Sequence, residues 1–479
     1  MPGSPKPSDS DRRPTEIDWR KRAEDAERER DALQRERDQL QRERERLRHQ
    51  VDHLKRQLDD ARRAGFRQAA PFAKPLKRHP KRPGRKAGDA YGPKARRRRP
   101  AQVDERYDAR LPAQCPSCAG RVVPTGVVRQ YQEELPVTRV KVRQFDIQVG
   151  HCNHCGRRVQ GRHPLQTSDA IGAAAVQLGA QVIALVVVLN KQLGLSFGKI
   201  ATLLQQLYGL TVTRGGLVHA VRRTARQAHP TYDALCAHVR GSPSVSPDET
   251  GWKVAGLLQW LWVYATSDTT VYRIQPGRGF NEAAAVLGAD FAGVLIRDGW
   301  APYRQFTAAT HQTCLAHLLR RCRLLASDHP RTTFATEVQA ILHDAIAVRA
   351  RHRAGEVSVH GLAVARGQLI RRLAVRLARP SRVPDVERFA RHLDREFTAI
   401  WSFLFEPTLD ATNWRAEHAI RPIVVTRKVC GGNRSWTGAD SQQVLASVIR
   451  TATQRQLNPH AVLGSMLHAR TPHVAADLN

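Results

Sequence analysis

The spacing of apolar positions changes several times along the chain, and each change marks an element or a boundary. Residues 1–18 are polar and Pro-rich and are expected to be disordered. From Trp19 to Arg63 there is no Pro or Gly, and Leu33, Leu40, Leu47 and Leu54 recur every seven residues, the spacing of a coiled-coil seam. Val51 and Leu58 fill the companion positions near the C-terminal end, whereas Arg30, Arg37 and Arg44 occupy the earlier ones and weaken the zipper there. The pattern predicts a homodimer or higher oligomer through this leucine zipper; the alternative is a lone charged helix held by i,i+4 pairs.

Helical spacing returns over 172–226. Ser196 is placed to cap a helix with Ile200, Leu203, Leu204 and Leu207 on one face, Gly209 ends it, and Thr211–Thr213 turn the chain into Arg214–Arg226, with Leu217, Val218 and Val221 inward. Helix, short turn and basic second helix is a DNA-reading arrangement, with Arg214, Arg222, Arg223 and Arg226 available to the duplex. Three-helix packing without DNA contact is the competing expectation. Strand patterns follow at Val245–Val254, Gln259–Ala265 and Thr270–Ile274, then a helix at Phe280–Leu287 and a buried strand at Gly293–Arg297. An Arg/Ala/Leu-rich helical stretch occupies roughly 315–404.

Charge narrows the partner. The 479 residues carry 77 Lys+Arg against 44 Asp+Glu, a formal net charge of +33, and nucleic acid is the commonest partner of such a chain. An anionic membrane surface is the alternative, but no Lys-rich amphipathic helix or lipidation signal accompanies the charge. The most apolar run, around Val182–Leu189, is far shorter than the roughly 20 residues a bilayer demands. No signal peptide is read at the N-terminus, so no membrane association and a cytoplasmic site beside the nucleoid are expected. Between 71 and 100, Lys74, Lys77, Arg78, Lys81, Arg82, Arg85, Lys86, Lys94 and Arg96, Arg97, Arg98 and Arg99 are interrupted by Pro and Gly, a linker suited to tracking phosphates.

The eight cysteines then read as thiols or metal ligands. Cys115 and Cys118 form one CxxC, Cys152 and Cys155 a second, each in a turn-like context. Two such turns close a tetrahedral shell around structural Zn²⁺, and alternation over Val137–Val149 predicts the hairpin that joins them. His151, His154 and His163 lie nearby.

Carboxylates supply the remaining chemistry. Asp248 is expected at the end of a short strand and Asp298 follows the buried one, so two acids on neighbouring strands can hold a hard dication if a third closes the site. Asn413 and Glu417 are four apart on one predicted helical face, and Arg421 shares it. Glu249 and Asp410 are spare acids. Cys314 and His317 form a CxxH with only two visible ligands, for which core packing or DNA proximity is favoured over metal binding.

Asp248-Glu-Thr, Asp298-Gly-Trp with Tyr303, Cys314-Leu-Ala-His317 with Arg320 and Arg321, the stretch Asn413 to Arg421, Arg427-Lys428 and Thr451-Ala452 together resemble the insertion-sequence-66-type transposases. Trp414, His418 and Gly431-Gly432-Asn433 depart from that pattern. The resemblance implies an α+β multidomain chain: coiled coil 19–63, basic linker 64–104, zinc-binding domain 105–166, and helical helix-turn-helix-like module 167–240. A catalytic domain similar to ribonuclease H would span 241–455 with a helical insertion at about 325–405, followed by a tail at 456–479. Asp248, Asp298 and Glu417 would be a DDE triad holding two Mg²⁺ (or Mn²⁺) ions. DNA contacts would fall to Arg96–Arg99, Arg214, Arg222, Arg223, Arg421, Arg427 and Lys428. The implied activity is metal-dependent cleavage and strand transfer at the terminal inverted repeats of an insertion sequence in a bacterium. Its partners would be double-stranded DNA (element ends and target) and accessory proteins of the same element. A DNA-binding regulator, an inactive domesticated copy and a nuclease without strand joining are the alternatives.

Overall fold

The computed structural model describes residues 16–67, 99–135, 139–172, 176–469 and 471–478; the basic linker from Lys74 to Arg98 lies outside them. The chain divides into two compact units, Met1–Gln132 and Glu133–Asn479. In the first, α1 (Glu16–Arg67) is one continuous helix. Leu33, Leu40, Leu47 and Leu54 are each more than half exposed along it. That is an exposed row of leucines on a helix rich in Arg and Glu.

The second unit begins with a short antiparallel pair, β1 (Val149–His151) and β2 (Arg158–Gln160). The expected hairpin strand over Val137–Val149 does not form: residues 139–148 are irregular, and most are exposed. Alternation specifies a strand only where one face has a core to bury, and here neither does. Three helices follow, α2 (Ala180–Lys191), α3 (Phe197–Tyr208) and α4 (Arg214–Arg240). The local signals around α3 act as read: the Ser196 side chain accepts the Lys199 N–H, Gly209 ends the helix with φ +65°, and Thr213 caps α4. Two details differ. Leu207 is 62% exposed, because α4 covers only the Ile200/Leu204 side of α3. And α4 runs on past Arg226, through Pro230, because Thr231, Tyr232, Leu235 and Val239 keep its inner face buried.

A five-stranded sheet forms the centre: β3 (Ser244–Val254), β4 (Leu257–Ala265), β5 (Thr270–Gln275), β6 (Val294–Arg297) and β7 (Thr310–Thr313), with α5 (Phe280–Leu287) between β5 and β6. The order is β5-β4-β3-β6-β7, antiparallel across the first three and parallel from β3 through β6 to β7. Period-two alternation along β4 sends Trp262 and Tyr264 into one core and Leu261, Val263 and Ala265 into another. The first core is shared with α2, α4, α5 and α13 (Pro459–His468). The second is closed by α11 (Trp414–Cys430) and α12 (Trp436–Gln454).

Helix α12 also covers an edge. The outward amides of β5 would otherwise be unpaired, a cost that buried backbone does not tolerate. Thr270, Tyr272 and Ile274 donate instead to Thr451 Oγ1 (3.1 Å), Ser447 Oγ (2.9 Å) and Gln443 Oε1 (2.9 Å), one turn apart on α12. Between β7 and α11 the chain forms α6 (Leu315–Asp328), α7 (Phe334–Arg353), α8 (Val359–Leu377), α9 (Pro384–Arg395) and α10 (Ser402–Phe405) around a separate apolar core. The result is an α+β fold on a mixed sheet. Among the described residues no helix is long and apolar enough to cross a membrane.

Candidate active site

Sheet register brings the chemistry together. Val245 of β3 is level with Leu295 of β6, and Arg297 of β6 with Thr313 of β7. Counting three residues on from the first pair sets Asp248 abreast of Asp298; one residue on from the second sets Cys314 abreast of Asp298. Neighbouring strands lie about 4.8 Å apart, so one rim of the sheet carries two carboxylates and a thiol. Asp248 therefore lies within β3, which continues to Val254 in antiparallel pairing with β4, and not at a strand end as the sequence suggested. What stops near it is the parallel ladder: β3 pairs with β6 only through Val245, so Asp248 stands just beyond the last rung.

The third acid arrives from α11. Asn413 stands at its N-terminus, buried, and ties three segments together. Its side-chain amide donates to Pro247 O (2.7 Å), its backbone N–H to Cys314 Sγ (3.1 Å), and its carbonyl accepts the Glu417 N–H (3.1 Å). The residue before Asp248, the start of α6 and the first turn of α11 are thereby held at one place, with Glu417 facing the rim. His317, in the first turn of α6, reaches Glu417: Nε2 to Oε1 is 3.9 Å.

Electrostatics mark the rim as short of positive charge. Burial, followed by the negative charges of Glu249, Asp298 and Glu417, pushes the Asp248 carboxyl well above the usual carboxylate range. Asp248 Oδ1 accepts the Glu249 N–H (2.9 Å) and Asp298 Oδ1 the Trp300 N–H (2.9 Å). Among the described residues neither acid is paired with Lys or Arg. Asp248 and Asp298 offer the oxygen donors that a hard dication such as Mg²⁺ takes, but together with Glu417 their ligand atoms do not all lie within 4.8 Å of one another.

Glu249 has a different task. On the strand face opposite Asp248, it is buried, accepts from Tyr303 Oη (2.7 Å) and pairs with Arg278 (Nε to Oε1 2.7 Å). The Arg278 guanidinium is stacked between Trp260 (4.7 Å) and Trp300 (3.9 Å). This network fixes the loop after Asp298 from one side. From the other, Arg297 donates to Asp298 O (2.9 Å) and to the buried Glu396 (2.6 Å), which also accepts from Arg304 (2.9 Å) and Thr313 (2.7 Å). A Cβ on Gly299 would stand 2.5 Å from the His392 ring, so the loop has room only for glycine as packed. Spare Asp410 is engaged by Arg415 at 2.7 Å.

The departures from the family pattern are also explained locally. Gly432 has φ +112°, and a Cβ there would lie 2.3 Å from Lys253 O. This close approach lets Asn433 dock on β3, accepting from Trp252 Nε1 (2.8 Å) and donating its N–H to Lys253 O (2.8 Å). His418 Nδ1 meets Arg450 Nη2 at 2.6 Å, and Trp414 is half-exposed under Arg415.

The cysteine pairs fall in different units, Cys115–Cys118 in the first and Cys152–Cys155 in the second. Each forms the same knuckle. The first cysteine's N–H donates to the carbonyl five residues on (2.9 Å in both), and its carbonyl accepts the N–H four residues on (2.8 Å in both). Ala119 and Gly156 take positive φ, +56° and +67°, at matching positions. Backbone amides of Ser117 and Cys118 lower the Cys115 thiol, and those of Cys155 and His154 the Cys152 thiol, the environment a thiolate ligand requires.

Of the basic residues singled out, Arg96, Arg97 and Arg98 lie outside the described residues. Arg99, Arg214, Arg223, Arg226, Arg421 and Lys428 are exposed and Arg222 partly buried. Arg427 is engaged internally, donating to Thr250 Oγ1 (2.9 Å) and to Gly251 O.

Three features of this site were not read from the sequence: Asn413 as a clamp, Glu396 as the counter-ion of Arg297, and the meeting of Cys314, His317 and Glu417. Each depends on contacts about a hundred residues apart in sequence. Comparison with known proteins adds the lineage. A protein of Sinorhizobium fredii (strain NBRC 101917 / NGR234) described as "Uncharacterized protein y4jD" is 27% identical over 297 residues, 54% of this chain. The match spans 56% of that relative's length. Residues 175–441, more than half the chain and all of the rim just described, match the family model "Transposase IS66 family". The chain belongs to the IS66 family of transposases.

Proposed function

We propose that this chain cuts the ends of an insertion sequence and joins them to target DNA, with Asp248, Asp298 and Glu417 as the ligands of two Mg²⁺ (or Mn²⁺) ions. The observation that carries the proposal is the Asp248 carboxyl, raised well above its usual range by burial and by the charges of Glu249, Asp298 and Glu417, where among the described residues neither Asp248 nor Asp298 pairs with Lys or Arg. The sheet order, three antiparallel strands followed by two parallel ones with the acids on adjacent central strands, supports a ribonuclease H-like core. When bound, the ions would supply activation of a water or 3′-hydroxyl and stabilisation of the leaving oxygen.

The chain's own residues do the positioning. Asp248 and Asp298 are set by register and by backbone N–H bonds; Glu417 is set by Asn413. All three remain partly accessible, so a phosphodiester can approach from solvent. Arg421, one turn beyond Glu417 on α11 and exposed, is placed for a phosphate of the same strand. The basic linker and the basic start of α4 would hold element ends, α1 would pair two chains through its leucine stripe, and each knuckle would offer two thiolates to Zn²⁺.

The test is incubation of the purified full chain with labelled element ends, target DNA and Mg²⁺. Nicked and joined products are expected. Cleaved ends that never join would point to a nuclease, and binding without cleavage to a regulator or an inactive copy.

A further inference from the structure

Cys314, His317 and Glu417 are the one group of three or more His, Cys, Asp or Glu side chains among the described residues whose ligand atoms all lie within 4.8 Å of one another. Cys314 caps the N-terminus of α6, His317 lies in its first turn, and α11 brings Glu417 against them. His317 turns Nε2 towards Glu417, at 3.9 Å from Oε1. Cys314 is fully buried, and its sulfur accepts the Asn413 N–H (3.1 Å).

We propose that these three side chains form a zinc site which competes with the magnesium pair for Glu417. Thiolate and imidazole select Zn²⁺ over Mg²⁺, which takes oxygen ligands. A tetrahedral zinc with nitrogen and oxygen ligands separates those atoms by about 3.4 Å, so the 3.9 Å between His317 Nε2 and Glu417 Oε1 closes with a small rotamer change. Three protein ligands leave a fourth position for water. A Glu417 carboxylate drawn to this zinc is withdrawn from Asp248 and Asp298, so zinc switches the rim off. The inference rests on Glu417 being the third catalytic acid, and the test separates the two.

The full chain and its His317→Gln, Cys314→Ser and Glu417→Gln variants are dialysed against buffered Zn²⁺ in excess Mg²⁺, and zinc per chain is measured by elemental analysis. Each variant should hold about one equivalent less than the parent, whatever the cysteine knuckles contribute. Zinc should lower the parent's Mg²⁺-dependent cleavage at least about ten-fold, and that of His317→Gln less than about two-fold. His317 is a third exposed, so its variant keeps the test open if Cys314→Ser fails to fold. Equal zinc in the parent and the variants overturns the site. A lost equivalent without inhibition of the parent overturns the competition. If Glu417→Gln itself cleaves normally, Glu417 is not the catalytic acid, while the zinc count still decides whether it is a zinc ligand.

Discussion

Replacing Glu396 by Gln should loosen the loop that carries Asp298. The side chain is fully buried and holds Arg297, itself 2% exposed, at 2.6 Å. Removing one member of a buried pair generally costs about 3–5 kcal/mol, because the other charge is left without compensation. Arg297 keeps two acceptors, Asp298 O at 2.9 Å and His311 Nδ1 at 3.2 Å, while Arg304 is exposed enough to turn to water. The lower end, about 3 kcal/mol, is therefore expected at pH 7. Denaturant unfolding followed by tryptophan fluorescence measures it, with Trp401 buried in the adjoining helical core. The pH dependence has a definite sign. Burial opposes the Glu396 charge, but Arg297, the Thr313 hydroxyl and Arg304 together hold the carboxyl below its usual range. Its contribution is thus complete above the unfolded-state value of about 4.3 and is lost as pH falls through the lower folded value. The parent's advantage over Glu396→Gln should stay constant from neutral pH down to about 5 and shrink only in stronger acid. A difference below about 1 kcal/mol at pH 7, or one that grows in acid, refutes the reasoning.

Three further outcomes are expected. Burial pushes the Lys191 ammonium down to about 8, so the folded state sheds its proton first and the parent should gain stability as pH rises from about 8 towards the unfolded value of about 10.4. Lys191→Met should abolish that rise and be more stable at pH 7 by about 1–2 kcal/mol, after the lost bond to Gln442 is counted. Ser447→Ala strands the Tyr272 N–H at a buried sheet edge and should cost about 1–3 kcal/mol in denaturant unfolding. Cys115→Ser and Cys152→Ser should each lower the zinc bound per chain, counted by elemental analysis; an unchanged count would sink the reading of the knuckles as zinc ligands.

Local signals were legible in the sequence and distant ones were not. Ser196, Gly209 and Thr213 act on their immediate neighbours, and the structure caps α3 and α4 with them. The position of Asp298, directly after a short apolar strand, is legible in the sequence. Alternation at 137–149 misled because it reports a strand only where a core exists to favour one face. Gln443, Ser447 and Thr451 look like the polar stripe of a surface helix, yet they pair the edge of β5. Cys314 joins the rim through parallel register with β6, and Glu396 reaches Arg297 across the helices between. Neither relation leaves a periodic trace in the sequence.

Asp248, Asp298 and Glu417 are proposed to act together on one bound phosphodiester. The direct measurement is Mg²⁺-dependent cleavage of labelled element ends by Asp248→Asn, Asp298→Asn and Glu417→Gln, with Asp410→Asn as the control and DNA binding measured in parallel. Glu249 serves poorly as a control, since its bonds to Arg278 and Tyr303 hold the fold. Each of the three variants should lose cleavage while binding ends nearly as well as the parent, because affinity rests mainly on Lys and Arg contacts to phosphate. Asp410→Asn should stay active. Parental cleavage by Glu417→Gln, with Asp410→Asn inactive, would exclude Glu417 as the third acid and move that role off α11.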